Sequence, residues 1–380
     1  MLFVTNGNGE IAIADRIAQE VRDLAPDLRV DHLALVGVSR SEYMVDAGPQ
    51  ERMPSGGLIA MGQFKNIARD LRAGLIALTL SQRKFLTASR GRYDRVVAVG
   101  DAYALLMALA ARAPVTYVGT AKSVRVAPYG PVERAILRRA ERVFVRDGPT
   151  AERLRSQGVD AQSPGNVIVD LFANFDDQRA DDAVEAFAPA IAMFPGSREA
   201  AYGDAVFLAD IVRRVANEHP HLGGVLSIAP VLDSARFARE LAQTWEVGEG
   251  RNAQVTFELR ERGRTVVRAW SGPLGALLRR VQLVIGQAGT ANEAAAAAGI
   301  PVVAFERGED RKTAWYRMRQ SGLLGAALTV LPGDAARAAR ELGALLADPA
   351  RRAYMGNAGR ELMGPPGGAR AIARAIAGAA

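Results

Sequence analysis

Short apolar runs alternate with longer stretches rich in alanine, leucine and arginine along the whole chain. The runs at 96–99 and 115–118 are almost continuously apolar, which is typical of strands covered on both faces. Because strands that alternate with helices form parallel sheets with crossover helices, the pattern predicts an α/β protein. Predicted strands lie at 2–5, 29–35, 95–99, 115–118 and 142–145 in the first half, and at 190–194, 224–228, 253–257, 283–285 and 302–305 in the second.

Chain length and one change of composition divide this series into two domains. The 380 residues exceed the roughly 250 to 300 that one hydrophobic core usually serves. Residues 174–188 are rich in acid and lack strand character, so they are predicted to be a linker. We expect one doubly wound domain at 1–175 and another at 188–365. A Gly-Pro-Pro-Gly-Gly break precedes a final helix at 369–380, which we expect to pack back on the first domain.

Composition restricts the chemistry of the chain. Cysteine is absent, which excludes disulfides, thiolate metal sites and cysteine nucleophiles, and there are only three histidines. The net charge is +7, and only four of the 48 basic residues are lysine. Arginine binds oxyanions with two parallel hydrogen bonds, so phosphate or phospholipid partners are favoured. Nucleic acid is not an expected partner, because the arginines are dispersed and aromatic residues make up only 6%.

Neither the N-terminus nor any internal run predicts export or membrane insertion. The chain opens without the basic segment of a signal peptide, and no apolar run reaches the roughly 18 residues of a membrane-spanning helix. We therefore expect a cytoplasmic protein.

The first predicted strand ends in a loop, Asn-Gly-Asn-Gly-Glu, at residues 6–10, where open α/β sheets bind ligands. A dinucleotide is disfavoured, because Glu10 would place a second anion at the helix N-terminus where a pyrophosphate binds. A sugar or an alcohol suits the loop better. The alternative is a tight turn in which Glu10 only complements the helix dipole.

A second loop, Pro-Gly-Ser-Arg at 195–198, also follows a predicted strand. Its backbone N–H groups, the Ser197 hydroxyl and the Arg198 guanidinium would form an anion site. The alternative is a surface turn with a solvated arginine.

A third strand-to-helix loop lies at 286–293, Gly-Gln-Ala-Gly-Thr-Ala-Asn-Glu, with Thr290 as the predicted N-cap. Glu293 either completes a capping box with Thr290 or points outwards to accept ribose hydroxyls. Because the second and third loops would face one crevice, a nucleotide diphosphate is the ligand that suits both.

The order and spacing of these motifs resemble the donor-binding half of GT-B glycosyltransferases. The resemblance is greatest to lipid-A-disaccharide synthase and the group of proteins related to it. It extends through residues 117–123, 145–147, 165–170 and 299–303, and so covers nearly the whole chain. It implies the GT-B fold, in which two Rossmann-like, doubly wound domains face a central cleft.

The resemblance also implies ligands and residue roles. A UDP-linked sugar would bind the second domain, and a lipid-borne or other hydroxyl acceptor the first. Gly196, Ser197 and Arg198 would contact the donor phosphates. No metal and no cofactor besides the donor are implied. The acceptor-binding loop would comprise Asn6, Gly7, Asn8 and Gly9, and the donor site Gly196, Ser197, Arg198, Gln287, Gly289, Thr290, Ala291, Asn292 and Glu293, with Gly289 and Thr290 at the diphosphate and Glu293 at the ribose.

The expected catalytic base is a carboxylate. Lipid-A-disaccharide synthases carry an essential aspartate after the strand that here ends at Gly100, and Asp101 stands there. The alternative role of Asp101 is to cap the following helix. Relatives often have histidine where this chain has Asn8, and its three histidines lie outside the motifs, so the base is either Asp101 or Glu10.

Residues 56–92 combine apolar runs with arginine and lysine. Such a surface suits an anionic membrane interface, which a lipid acceptor would require; the alternative is a pair of core helices with solvated ends. The predicted protein would be peripherally associated with the inner face of the cell membrane.

The expected reaction is an inverting, metal-independent hexosyl transfer from a UDP-sugar to a lipid-linked hydroxyl. The base would take the acceptor proton, and UDP would leave with its charge met by Arg198 and the helix that begins at Thr290. Two alternatives stay open. One is a UDP-sugar 2-epimerase of the same fold, and the other, suggested by Asn8, is a protein that binds a nucleotide-sugar without turnover.

Overall fold

The computed structural model describes residues 1–38, 41–51, 70–120, 122–172, 177–307 and 311–378. Contacts divide the chain into two compact units, Met1–Leu171 with Pro366–Ala380, and Phe172–Pro365. Each is built on a largely parallel sheet with helices on both faces, so the predicted α/β class is confirmed. Among the described helices, none combines the length and the apolar composition needed to cross a bilayer.

The first unit contains a seven-stranded parallel sheet in the order β3-β2-β1-β4-β5-β6-β7. Its elements are β1 (Leu2–Thr5), α1 (Asn8–Leu24), β2 (Asp31–Ala34), β3 (Val45–Asp46), α2 (Leu75–Ala88), β4 (Val96–Gly100), α3 (Ala102–Ala108), β5 (Val115–Gly119), α4 (Pro131–Leu137), β6 (Arg142–Val145), α5 (Gly148–Arg155), β7 (Ala161–Gln162) and α6 (Val167–Asp170).

The second unit contains an eight-stranded sheet in the order β10-β11-β12-β9-β8-β13-β14-β15. β11 is antiparallel to both of its neighbours, β10 and β12, and the remaining pairs are parallel. Its elements are α7 (Ala180–Val184), β8 (Ala190–Phe194), α8 (Ala201–Glu218), β9 (Gly223–Ser227), α9 (Ser234–Leu241), β10 (Glu246–Glu249), β11 (Val255–Glu261), β12 (Arg264–Trp270), α10 (Leu274–Leu278), β13 (Leu283–Gly286), α11 (Thr290–Ala297), β14 (Val302–Glu306), α12 (Arg311–Leu324), β15 (Leu328–Pro332), α13 (Ala335–Ala347) and α14 (Pro349–Met363).

Each unit has its own apolar core between its sheet and helices. Phe3 and Tyr117 are fully buried in the first unit, and Phe194, Phe237 and Trp270 in the second. The strands at the centre of both sheets are covered on both faces, which is why their apolar runs are continuous and could be predicted.

The acid-rich segment predicted as a linker belongs, over its described residues 177–188, to the second unit. It contains α7, and two of its acids bind loop residues of that unit. Asp181 accepts from Arg280 at 2.5 Å, and Asp182 accepts from Asn252 at 2.7 Å. The composition indicated solvent exposure, whereas an amide and a guanidinium that lie 70 and 99 residues further along the chain hold the segment in place.

The last helix, α15 (Gly368–Ala377), packs against α1 in the first unit. Asp170 fixes its start, because the two carboxylate oxygens accept from Gly367 N at 2.5 Å and from Ala369 N at 2.7 Å. The backbones of Gly165 and Gly368 touch, and a Cβ on Gly368 would lie 2.7 Å from the carbonyl group of Gly165. The glycine and the aspartate of segment 165–170 therefore attach the C-terminal helix to the first unit.

Replacing Asp170 by Ala should lower the free energy of unfolding of the first unit by about 3 kcal/mol. The change leaves two N–H groups of a buried helix start without acceptors and removes a carboxylate from the positive end of that helix. Urea unfolding would measure the loss, with the exposed Asp160→Ala as the control. An equal effect of both substitutions would contradict the role assigned to Asp170.

Candidate functional site

In each sheet the strand order reverses beside the first strand of the unit. β1 lies between β2 and β4, and β8 lies between β9 and β13. Open α/β sheets bind ligands outside the carboxyl ends of the strands at such a reversal. We call the loops after β1 and β4 the first-unit site, and those after β8 and β13 the second-unit site. Every predicted catalytic, acceptor-binding and donor-binding residue lies in one of these four loops or in the first turn of the helix that follows.

The first-unit site brings the loop of residues 6–10 against the end of β4. Thr5 is in register with Val99, so Asn6 lies beside Gly100. Gly100 has φ +136°, and a Cβ at this position would collide with the Asn6 side chain and lie 3.1 Å from Glu10 Cγ. Only glycine therefore allows the end of β4 to approach both side chains.

Glu10 occupies the third position of α1, whose N-cap is Gly7. Its carboxylate touches the site where a Cβ on Gly7 would be, as expected of an acid that complements a helix N-terminus. Burial raises the pKa of Glu10, and the negative charge of Asp101 raises it further. The Thr120 hydroxyl lowers the pKa of Glu10, although it forms no hydrogen bond of ordinary geometry with any described residue. The raised pKa makes the protonated form of Glu10 easier to reach than that of an exposed glutamate, which suits a general acid.

Asp101 is the N-cap of α3. Its Oδ1 accepts from Tyr103 N at 2.9 Å and from Ala104 N at 3.2 Å. The capping role weighed for this residue is therefore present. Both bonds use Oδ1, and within the described part of the chain no donor occupies Oδ2. One carboxylate oxygen of Asp101 can thus accept a proton while the other caps the helix.

Two buried tyrosines, which were not singled out from the sequence, support the end of β4. Tyr117 donates its hydroxyl to the Gly100 carbonyl at 2.8 Å and lies 3.4 Å from the Tyr129 hydroxyl. Burial raises the pKa of both phenols, so both stay protonated. They help to fix the backbone that carries Asp101. Their positions 17 and 29 residues beyond Gly100 explain why local motifs did not reveal them.

In the second-unit site, the loop after β8 is open. Ser197 and Arg198 are exposed, and Gly196 has φ +111° with no described atom within 4 Å of a Cβ placed there. The following helix, α8, begins only at Ala201, whose N–H donates to the Arg198 carbonyl at 2.8 Å. A short turn therefore presents Ser197 and Arg198 ahead of the helix.

The loop after β13 is tied to its neighbours by side-chain amides. The backbone N–H of Gln287 donates to the Phe194 carbonyl at 2.9 Å, and its side chain donates to the Phe305 carbonyl at 3.2 Å. Asn292 is fully buried and donates to the Gly286 carbonyl at 3.2 Å. Gln287 and Asn292, expected in the donor site, thus hold the loop in place.

The helix α11 starts one residue earlier than predicted. Gly289 is its N-cap and Thr290 its first residue, so Glu293 stands at the fourth helical position. A capping box requires Glu at the third position, which Asn292 occupies and uses to contact β13. The predicted cap at Thr290 is therefore wrong. Gly289 and Thr290 are exposed, Ala291 is partly buried, and Glu293 is 9% exposed.

Metal-binding chemistry has no candidate among the described residues, since no group of three or more His, Asp or Glu side chains is placed to hold an ion. Both sites instead present strand-end loops with carboxylates in the first unit and backbone N–H groups, hydroxyls and a guanidinium in the second.

Comparisons with known proteins agree with this architecture. No model of a protein family matches the chain, and no curated protein matches it. Among solved structures, a Listeria monocytogenes protein assigned as a UDP-N-acetylglucosamine 2-epimerase superposes with a TM-score of 0.64 at 14% identity, covering 99% of this chain and 95% of that one. The UDP-GlcNAc 2-epimerase of Neisseria meningitidis bound to UDP-GlcNAc gives 0.58 at 14% identity, covering 99% and 98%.

A glycosyltransferase also matches over its whole length. The spinosyn rhamnosyltransferase SpnG, complexed with thymidine diphosphate, gives a TM-score of 0.58 at 16% identity, covering 99% of each chain. The chain therefore has the GT-B fold, with two Rossmann-like α/β domains. Its structural neighbours include nucleotide-sugar enzymes that catalyse different reactions.

Proposed function

We propose that the chain is an enzyme that acts on a UDP-sugar held by the second-unit site. The observation that carries the proposal is the reversal of strand order beside β8, where two loops present Gly196, Ser197, Arg198, Gly289 and Thr290 in the open. Exposed N–H groups and a guanidinium are the donors that suit a diphosphate. Glu293, at the start of α11, is the candidate acceptor for ribose hydroxyls. UDP-sugar enzymes among the matched structures support this choice of ligand.

Epimerisation at C2 of the sugar is the first candidate reaction, because 2-epimerases are prominent among the matched structures. Inverting C2 requires a proton to leave that carbon as the C1–O bond to UDP breaks and a C1–C2 double bond forms, after which UDP rejoins C1 and a proton returns to the opposite face of C2. Asp101 and Glu10 supply two carboxylates with different environments, as an acid and a base require. This reaction needs no acceptor.

Glycosyl transfer to a lipid-linked hydroxyl, with the inversion and the absence of a metal requirement implied by the resemblance, is the second candidate. Asp101 or Glu10 would take the hydroxyl proton as the oxygen attacks the anomeric carbon and the bond to UDP breaks. One surface favours it. On α2, Ile76 and Leu80 are 61% and 62% exposed, and Arg83 and Lys84 lie on the same helix face. Such a face suits an anionic membrane surface, and the protein would then associate peripherally with the cytoplasmic side.

Residues 56–69 of the predicted membrane surface lie outside the described residues. The described part makes the proposal testable. Replacing Ile76 and Leu80 together by Ser should weaken binding to vesicles containing phosphatidylglycerol by about tenfold or more, because two apolar side chains no longer enter the interface. Val132, 73% exposed on α4, provides a matched control as Val132→Ser. Absence of vesicle binding by the unaltered protein would remove the support for a lipid acceptor.

One experiment separates the candidate functions. Purified protein is incubated with UDP-GlcNAc, with and without a lipid extract, and products are followed by proton and phosphorus NMR. A new UDP-sugar formed without extract identifies an epimerase, whereas UDP release that depends on the extract identifies a transferase. Binding of UDP without either product supports a protein without turnover, and absence of UDP binding contradicts the proposed function.

A further inference from the structure

Arg317, on α12, is a buried cation that forms no ion pair with the acids that the structure describes. Its side chain is only 9% exposed. Its Nη1 donates to Gln320 Oε1 at 2.8 Å, and its Nε is buried without a hydrogen-bond partner among the described residues. Within the described ranges, its only hydrogen-bond partner is thus a neutral amide. A guanidinium does not lose its proton in proteins, so a positive charge remains in a place shielded from water.

The nearest acid does not balance this charge. Asp204, on α8, is close enough to interact with Arg317, but its carboxylate binds Arg307 at 2.5 Å. Burial lowers the pKa of Arg317, which the charge of Asp204 opposes. These three side chains hold two positive charges and one negative. Buried charges are normally paired and hydrogen-bonded, and among the described residues this cluster has one positive charge without a matching carboxylate.

The cluster lies beside the second-unit site. Gln320 orients Arg317 through its Oε1. Its Nε2 donates to the Ala288 carbonyl at 2.6 Å, in the loop after β13. Asp204 stands in the first turn of α8, directly after the loop that follows β8. Arg317 is therefore adjacent to both loops that form the reversal in strand order.

We propose that Arg317 is a binding residue of the second-unit site, which donates from Nε to a phosphate oxygen of the bound UDP-sugar. This inference rests on the proposed function. It adds one buried hydrogen-bond donor, Arg317 Nε, to the exposed donors of the two loops. Gln320 holds the guanidinium in place, and Asp204 limits the positive charge of the site when it is empty. A planar guanidinium with an unused N–H suits a phosphate group, which offers several acceptor oxygens around one centre.

The proposal predicts a particular combination of effects for Arg317→Gln. Affinity for UDP, measured by isothermal titration calorimetry, should fall about 10- to 100-fold, since a charge-assisted hydrogen bond is lost. Affinity for uridine should stay within about twofold. The melting temperature of the ligand-free variant should be unchanged or higher, because an unbalanced buried charge is removed. Arg317→Lys, which keeps the charge but not the planar fork, should give an intermediate loss of UDP affinity.

Control variants separate failure of this inference from failure of the proposed function. Arg337→Gln removes one exposed arginine of the same unit, paired with Glu341, and should leave UDP affinity unchanged. If the unaltered protein binds no UDP, the proposed function fails. If it binds UDP and Arg317→Gln binds equally well with a lower melting temperature, Arg317 is a structural partner of Asp204 and the inference alone is overturned.

Discussion

Replacing Asp101 by Asn should reduce turnover of the UDP-sugar by about 10²- to 10⁴-fold while changing the affinity for UDP less than about twofold. Asn is as good an N-cap as Asp, so α3 keeps its cap and only the ability to take a proton is lost. UDP would bind the second unit, which does not contain Asp101. Steady-state kinetics with UDP-GlcNAc and calorimetry with UDP would measure the two effects separately.

Glu10 provides the comparison that identifies the base. If Asp101 is the base and Glu10 the acid, Glu10→Gln should also lower turnover, and the limb of the pH profile on which Glu10 loses its proton should disappear. Asp101→Ala should in addition lower the free energy of unfolding by about 1 kcal/mol through loss of the cap. Equal loss of turnover and UDP affinity in Asp101→Asn would instead assign this residue to structure alone.

Replacing Glu258 by Ala should lower the free energy of unfolding of the second unit by about 3 to 5 kcal/mol. Glu258 on β11 faces Arg268 on β12, and its carboxylate accepts from Arg268 Nε at 3.1 Å and from Thr265 Oγ1 at 2.9 Å. Both charged side chains are at most 5% exposed. Removing the acid leaves Arg268 buried with a charge whose remaining contacts among the described residues are the Phe187 ring and backbone carbonyls, such as that of Glu185 at 2.6 Å.

The double replacement Glu258→Met with Arg268→Met is the control, and it should cost much less than Glu258→Ala because no buried charge remains unpaired. Burial raises the pKa of Glu258, but hydrogen bonds from Thr265 and three arginines outweigh it and bring the pKa to about 2. The folded-state pKa is below the unfolded one, so this contribution is present above about pH 4.5 and is lost as the pH falls towards 2. Urea unfolding at neutral and acidic pH would measure both effects, and equal costs for the single and double variants would contradict them.

Local signals were sufficient for much of the fold and for the position of the candidate site. The central strands bury both faces, so their apolar runs are continuous and were predicted close to their observed bounds. β12 was missed because Arg268 interrupts its apolar pattern, and its partner Glu258 lies on another strand. β3 and β7 have only two residues each, too few for any periodicity.

The linker and the helix cap mark where local reasoning failed. Residues 177–188 have the composition of a solvated segment, yet donors from distant positions, Asn252 and Arg280, bind their acids. The start of α11 moved by one residue because Asn292 satisfies a carbonyl of β13 instead of its own helix end. In both cases a contact with a residue of another structural element outweighed a local preference.

The sequence by itself determined the α/β class and the glycine-rich loops that end the strands, since strand periodicity and turn chemistry are properties of neighbouring residues. Only the tertiary structure decided which loops meet, because adjacency depends on strand order. It placed Glu10 beside Asp101 through the pairing of β1 with β4, and it buried Arg317 beside Ala288 through Gln320. Burial and the identity of a distant partner determine whether such charges are balanced, and neither is encoded in a local pattern.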